Sequence, residues 1–209
     1  MSQRKSLSTG SSDLNEALRQ SSRINDFEKV KELINRNADV NASYLGFTAL
    51  RWASMYGHKE SVALLLENEA RDDLHSAAAR GDVEAMEELI AAGNGDAGAV
   101  NRGGETALMW ASHRGQAASV RLLLRSKANV NARDQHGFTA LMEASQGGHV
   151  EAIKALIAAR ADVNAKEPED GETALVMAMH CARSEAVQML LDAGAERPAA
   201  AAPAGAPPR

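Results

Sequence analysis

Gly104-Glu105-Thr106-Ala107-Leu108-Met109-Trp110-Ala111 opens on a pattern that the chain writes four times. Gly-x-Thr-Ala-Leu also stands at Gly46 to Leu50, Gly137 to Leu141 and Gly171 to Leu175. The threonines fall at positions 48, 106, 139 and 173, so the successive steps are 58, 33 and 34 residues. The long first step leaves room for one further, shortened unit. A fixed period in this range marks a solenoid, in which each unit buries its apolar face only against its neighbours.

The unit from Ser43 to Ala70 shows the local logic. The Thr48 hydroxyl can accept from a free N–H of a first helical turn. Leu50 and Ala53 then lie three apart on one helical face. Gly57 ends this helix, and a second short one follows with Val62, Leu65 and Leu66. Neither helix is long enough to be stable alone in water. The first-helix leucine stands 12 residues before a second-helix aliphatic residue in Leu50–Val62, Leu108–Val120, Leu141–Ile153 and Leu175–Val187. Leu18–Val30 and Leu74–Met86 keep the same 12 without the Gly-x-Thr-Ala signature. The register predicts six units, near 13–42, 43–70, 71–100, 101–133, 134–166 and 167–196.

The core motifs Thr48-Ala49-Leu50-Arg51-Trp52-Ala53, Thr106 to Ala111, Thr139 to Ala144 and Thr173 to Ala178 resemble the Thr-Pro-Leu-His-x-Ala core of ankyrin repeats. Gly57-His58 and Gly148-His149 are similar to the family's Gly-His between helices. Ala38-Asp39-Val40-Asn41, Ala128-Asn129-Val130-Asn131 and Ala161-Asp162-Val163-Asn164 are similar to its Ala-Asp-Val-Asn after the second helix. The resemblance covers about residues 13 to 196. It implies an all-α solenoid of helix-turn-helix units joined by β-hairpin fingers. It also implies that His58, His75 and His149 are structural.

The departures carry expectations of their own. Alanine replaces the motif proline and keeps the helix. The family's glycine after the second helix survives at Gly93 and Gly194, while Asn37, Glu69, Lys127 and Arg160 stand there elsewhere. If that position keeps a left-handed backbone, asparagine tolerates it best, and the other three each cost roughly 1 kcal/mol or more. Leu50 to Leu74 is only 24 residues, so a hairpin finger is missing near residues 70–74. Either the array runs on with one finger absent or two short arrays abut there. A two-unit array buries too little to stand alone, which favours the continuous array. Residues 1–12 and the Pro/Ala-rich 197–209 are expected to be disordered.

Composition narrows the function classes. Charged residues make up 24% and aromatics 3% of the 209 residues, so the core must be built from small aliphatic side chains. A net charge of −5 argues against broad affinity for nucleic acid. No stretch approaches the ~18 to 20 apolar residues of a membrane span, and the polar start does not read as a secretory signal. The single Cys181 excludes an internal disulfide and fits a reducing compartment, the cytoplasm or the nucleus. We expect a monomer.

No group of residues points to catalysis, a cofactor or a metal. His113 and His180 are two repeats apart, and no Cys/His spacing resembles a zinc site. Cys181 has only His180 beside it, and helical neighbours do not face each other. Gly93-Asn94-Gly95-Asp96-Ala97-Gly98 lacks the lysine and hydroxyl residue of a phosphate loop. Glu167, Glu169 and Asp170 read as a solvated finger tip.

What remains is a surface for a protein partner. By the family's geometry it comprises the concave face and the fingertips. Tyr44, Leu45 and Phe47 stand on one finger, and Gln135, His136 and Phe138 on another. Exposed aromatics favour binding hot spots, although Phe47 and Phe138 can equally cover neighbouring fingers. The first-helix ends add Met55, Tyr56, His113, Arg114, Gln146 and His180. Trp52 and Trp110 read as packing between units, and Met109 and Met142 as core filling. The resemblance further implies asparagine hydroxylation as a candidate modification, for which Asn131 and Asn164 match best. The alternative function is a regulatory or adaptor region of a larger enzyme or ubiquitin-ligase assembly.

Overall fold

The computed structural model describes residues 4–198. Its helices are α1 (Arg4–Ile24), α2 (Phe27–Asn35), α3 (Ala49–Tyr56), α4 (Lys59–Glu67), α5 (Leu74–Arg80), α6 (Val83–Ala91), α7 (Ala107–His113), α8 (Ala117–Arg125), α9 (Ala140–Gly147), α10 (Val150–Ala158), α11 (Ala174–His180) and α12 (Ser184–Asp192). The repeated threonines are caps. Thr48, Thr106, Thr139 and Thr173 accept from Arg51 N, Met109 N, Met142 N and Val176 N. Asp73 does the same for α5 through Ser76 N at 2.9 Å, which explains how that unit dispenses with threonine.

Two rows result. The odd-numbered helices stack in sequence, α1 on α3 and so on to α11, and each packs on the even-numbered helix that follows it. Leu18, Leu50, Leu74, Leu108, Leu141 and Leu175 are all buried. Three residues beyond each lies a small buried side chain, Ser21, Ala53, Ala77, Ala111, Ala144 or Ala178, which lets neighbouring helices approach closely. The partner positions Val30, Val62, Met86, Val120 and Ile153 are buried too. Val187 is only half-buried, since among the described residues no helix packs on the far side of α12.

Helix α1, with 21 residues, is the longest of the described helices. It begins at Arg4, inside the segment 1–12 that composition suggested would be disordered. That segment contains no proline, so a helix fixed by Leu14, Ala17 and Leu18 against the core can propagate backward at little cost. The tail 199–209 lies outside the described residues.

The expected β-hairpins form no strand among the described residues. Each finger is a tight turn. Tyr44 and Phe47 exchange two backbone hydrogen bonds (3.1 and 3.0 Å), and single bonds join Asn101 N to Glu105 O, Asp134 N to Phe138 O and Glu167 N to Glu172 O. Side chains take up the N–H groups that a ladder would use. Asn101 Oδ1 accepts from Gly103 N and Glu105 N, and Asp134 Oδ1 from His136 N and Phe138 N. Glu167, expected at a solvated tip, is instead buried, with its carboxylate accepting from Glu169, Asp170 and Glu172 N. Those N–H donors, Glu172 first, hold its pKa below the usual glutamate value.

One junction is built differently. Only residues 68–73 separate α4 from α5. The buried apolar side chains form two clusters, one from Leu18 to Ala70 and one from Leu74 to Ala195. Polar contacts stand between them. Arg51 Nε donates to Asp73 (2.7 Å), and Arg80 pairs with Asp72 and reaches Ser54 Oγ (3.3 Å). Ser22, Ser112 and Ser145, at the same register as Ser54, are buried without a hydrogen-bond partner. In the even row α2 packs on α4, α6 on α8, α8 on α10 and α10 on α12, whereas α4 and α6 make no comparable contact.

Asn37, Glu69, Lys127 and Arg160 all hold positive φ, between 62° and 66°, as Gly93 and Gly194 do at 73° and 91°. The left-handed position is therefore kept whatever residue occupies it. Lys127→Gly relieves roughly 1 kcal/mol of steric cost and is expected to raise Tm by roughly 2–4 °C. Differential scanning calorimetry checks this, and an unchanged or lower Tm counts against it.

Candidate partner-binding surface

Unit-to-unit bonds run along the turn between odd and even helices. His58 Nε2 donates to the Arg23 carbonyl (3.1 Å), Gln116 Nε2 to Ala79 (3.4 Å), His149 Nε2 to His113 (3.0 Å) and Arg183 Nε to Gln146 (3.1 Å). Each donor lies one residue before an even helix and reaches the carbonyl five residues beyond the buried leucine of the preceding unit. His58 and His149 are thus structural ties, and His75 is buried with Nε2 on the Glu105 carbonyl (3.1 Å). Burial pushes the pKa of His75 and of His149 below the ordinary histidine value.

Five of the seven aromatic residues, Tyr44, Phe47, Trp52, Tyr56 and Trp110, gather near the short junction. Phe47 stacks on Trp52 (ring centroids 4.5 Å apart), Trp52 on Tyr56 (5.9 Å) and Tyr56 on His58 (5.9 Å). Phe47 also faces Trp110 at 6.2 Å, across the place where a finger of the α5 unit would stand. Trp110 is buried, donates from Nε1 to Glu105 and receives His75 edge-on. Two cations complete the cluster, with Arg19 over Tyr44 (5.9 Å) and Arg23 over Trp52 (5.8 Å). The outer edge is open to solvent: Tyr44 is 63% exposed, Leu45 53% and Tyr56 45%.

Two clefts collect most of the residues expected from sequence. Tyr44, Leu45 and Phe47 line a cleft of about 300 Å³ with Arg19, Gln20 and Trp52. Met55, His113, Arg114 and Gln146 line a smaller one of about 150 Å³ with Trp110 and Glu143. The remainder are dispersed. Gln135 is tied to the preceding turn through Arg102 O (2.6 Å), and His136 is exposed on its own turn. Phe138 packs against the core, and His180 pairs with Glu172 (3.0 Å). Met109 and Met142 are core residues.

The asparagines act as staples. Asp162 N donates to Asn131 Oδ1 (2.8 Å), while Asn164 receives Glu196 N (2.8 Å) and donates to Gly194 O (3.2 Å).

Arg19, Arg23 and Glu143 were not singled out in the sequence, although the register carried a signal for each. Arg23 stands five residues beyond Leu18, the same offset as Met55, His113, Gln146 and His180 from their leucines. Glu143 shares the offset of Trp52 and Trp110, and Arg19 that of Arg51. Among the described residues no three His, Cys, Asp or Glu side chains converge on a possible metal position. No described helix is long and apolar enough to cross a membrane.

His113 Nδ1 donates to Glu143 (2.8 Å) from the adjoining unit, and this bond raises the His113 pKa above the ordinary value. A histidine raised in the fold stabilises it fully below the unfolded pKa, about 6.5, and that contribution is lost as pH rises through the folded value. His113→Gln is therefore expected to destabilise more at a pH of about 5.5 than at about 8.5. Urea unfolding of both proteins at the two pH values measures the difference, and a pH-independent gap contradicts it.

Three copies of the family model for ankyrin repeats match residues 5–73, 74–167 and 137–199. Together they cover nearly the whole described chain, and helix pairs, caps and interunit ties fall in their register. Ankyrin repeats are generally modules of protein–protein interaction and are typically non-catalytic. The chain belongs to the ankyrin repeat family.

Proposed function

We propose that the chain is a six-unit, non-catalytic binding module that holds a partner protein on the concave face formed by the turns and the ends of the odd-numbered helices. The observation that carries this reading is Leu45. It stands in a left-handed conformation, φ 53°, while its side chain is half exposed to solvent. A leucine there is costly by roughly 1–2 kcal/mol, and asparagine would serve the turn better. Strain of this kind, held at an exposed apolar tip beside Tyr44, fits a contact role rather than a folding role. The Phe47–Trp52 stack carries the patch to Tyr56 on one side, and the Phe47–Trp110 contact carries it towards His113 and Gln146 on the other.

A module of this kind places its aromatic anchors at the centre and its polar groups at the rim. Tyr44, Leu45 and Tyr56 are the anchors, and Arg19, Arg23, Gln135, His136 and His180 belong to the rim. The absent finger near residues 70–74 gives the face a notch that Phe47 and Trp110 floor.

Two variants test the assignment. Tyr44→Ala with Tyr56→Ala is expected to reduce capture of the physiological partner at least about tenfold, as loss of hot-spot residues does, with Tm unchanged. Leu45→Asn is expected to bind more weakly while Tm stays equal or rises. Quantitative affinity purification with mass spectrometry reads both. A partner retained equally by both variants removes this surface from consideration.

A further inference from the structure

The series of interunit ties breaks at one place. By register Asp82 should reach back to the α3 end, as His58, Gln116, His149 and Arg183 reach back elsewhere. A carboxylate cannot donate to a carbonyl, and Asp82 instead caps α6 through Ala85 N (3.1 Å) and meets Arg80 (3.5 Å). The space over Gly57 is taken by Arg114, whose guanidinium leaves no room for a Cβ there. Because α4 and α6 are not packed together, a cleft of about 370 Å³ opens beside it. Val62 and Leu66 of α4 form its apolar wall, and Lys59, Arg80, Asp82 and Arg114 its polar one.

The charges in this cleft do not balance. Arg80 is shared between Asp72 and Asp82. Arg114 and Lys59 take part in no ion pair among the described residues. Arg114 Nε is buried with no hydrogen-bond partner. Glu105 and Glu143, which line the smaller cleft with Arg114, are engaged by Trp110 and Asn101 and by His113. A guanidinium with a buried, unmatched N–H beside an apolar wall fits a carboxylate, which accepts two parallel N–H bonds.

We propose that the cleft between α4 and the turn that carries Arg80 and Asp82 is a second binding site, sharing only Arg114 with the cleft of Met55, His113 and Gln146, that takes a glutamate side chain next to a leucine on an acidic segment of a partner protein. Arg114 receives the carboxylate, Lys59 adds charge at the mouth, and Val62 and Leu66 receive the leucine. The site exists because Asp82 replaces a donor and α4 is not covered by α6.

The test uses the full chain and a capped leucyl-glutamate dipeptide, with its capped leucyl-glutamine counterpart, at fixed ionic strength. NMR observes the Arg114 Nε–H signal and the Leu66 methyls. The expected result is a saturable shift of both with the glutamate peptide and none at Arg114 with the glutamine one. Arg114→Gln, confirmed as folded by its dispersed spectrum, should weaken the Leu66 response at least tenfold. Leu66→Ser should weaken the Arg114 response at least threefold. Equal response to the glutamine peptide, or linear drift of every arginine signal together, overturns the proposal. So does saturation of Arg114 by inorganic phosphate but not by the dipeptide. Arg114 also lines the cleft of Met55, His113 and Gln146, whereas Leu66 does not, so the Leu66 readouts separate the failure of this site from failure of the concave-face reading.

Discussion

Everything in this fold depends on helices that are too short to exist alone. The odd-numbered helices from α3 onward have seven or eight residues and the even-numbered ones nine, below the length at which an isolated helix is stable in water. Each odd-numbered helix is held by a buried leucine and by a small residue that lets the next helix approach, and each even-numbered one by buried side chains such as Val30, Leu65, Met86, Val120, Ile153 and Leu190. Caps from Thr48, Asp73, Thr106, Thr139 and Thr173 fix where each helix starts. Stability is thereby a property of interfaces between neighbours, and it is as uneven as those interfaces.

The weakest interface follows from a few residues. Shortening the α4–α5 connection removes a turn, and Asp82 removes an interunit donor. The apolar core is divided at the same place, and Arg51, Asp72, Asp73 and Arg80 stand across the division. Partly exposed ion pairs give less cohesion than buried apolar surface. The α3–α5 contact and the Phe47–Trp110 contact still carry the array across it. The same irregularity leaves open the cleft beside Asp82, which a closed even row would fill.

Much of this was legible in the residues. The 12-residue distance between buried aliphatic positions located the helix pairs at Leu18 and Leu74 where the signature is absent. The positive φ of Lys127 and Arg160 followed from the place that glycine holds at Gly93 and Gly194. The rest depended on geometry between units. Whether Glu167 faces solvent is decided by three backbone N–H groups folded around it. That Phe138 packs inward and Tyr44 outward depends on the turn each occupies; from sequence Phe138 could equally have been a tip or a cover for the neighbouring finger. The consequence of aspartate at position 82 shows only when its neighbours in register are seen to be donors.

Conserved register and broken register thus have different uses here. The regular units supply the stacked surface, and the irregular junction supplies the cleft beside Asp82. Residue-resolved native-state hydrogen exchange on the full chain tests this division most directly. The account predicts that amides of α3 and α4 exchange through an opening that leaves those of α7 to α10 protected. One opening free energy shared by Leu50, Leu65, Leu108, Leu123 and Leu156 would contradict it.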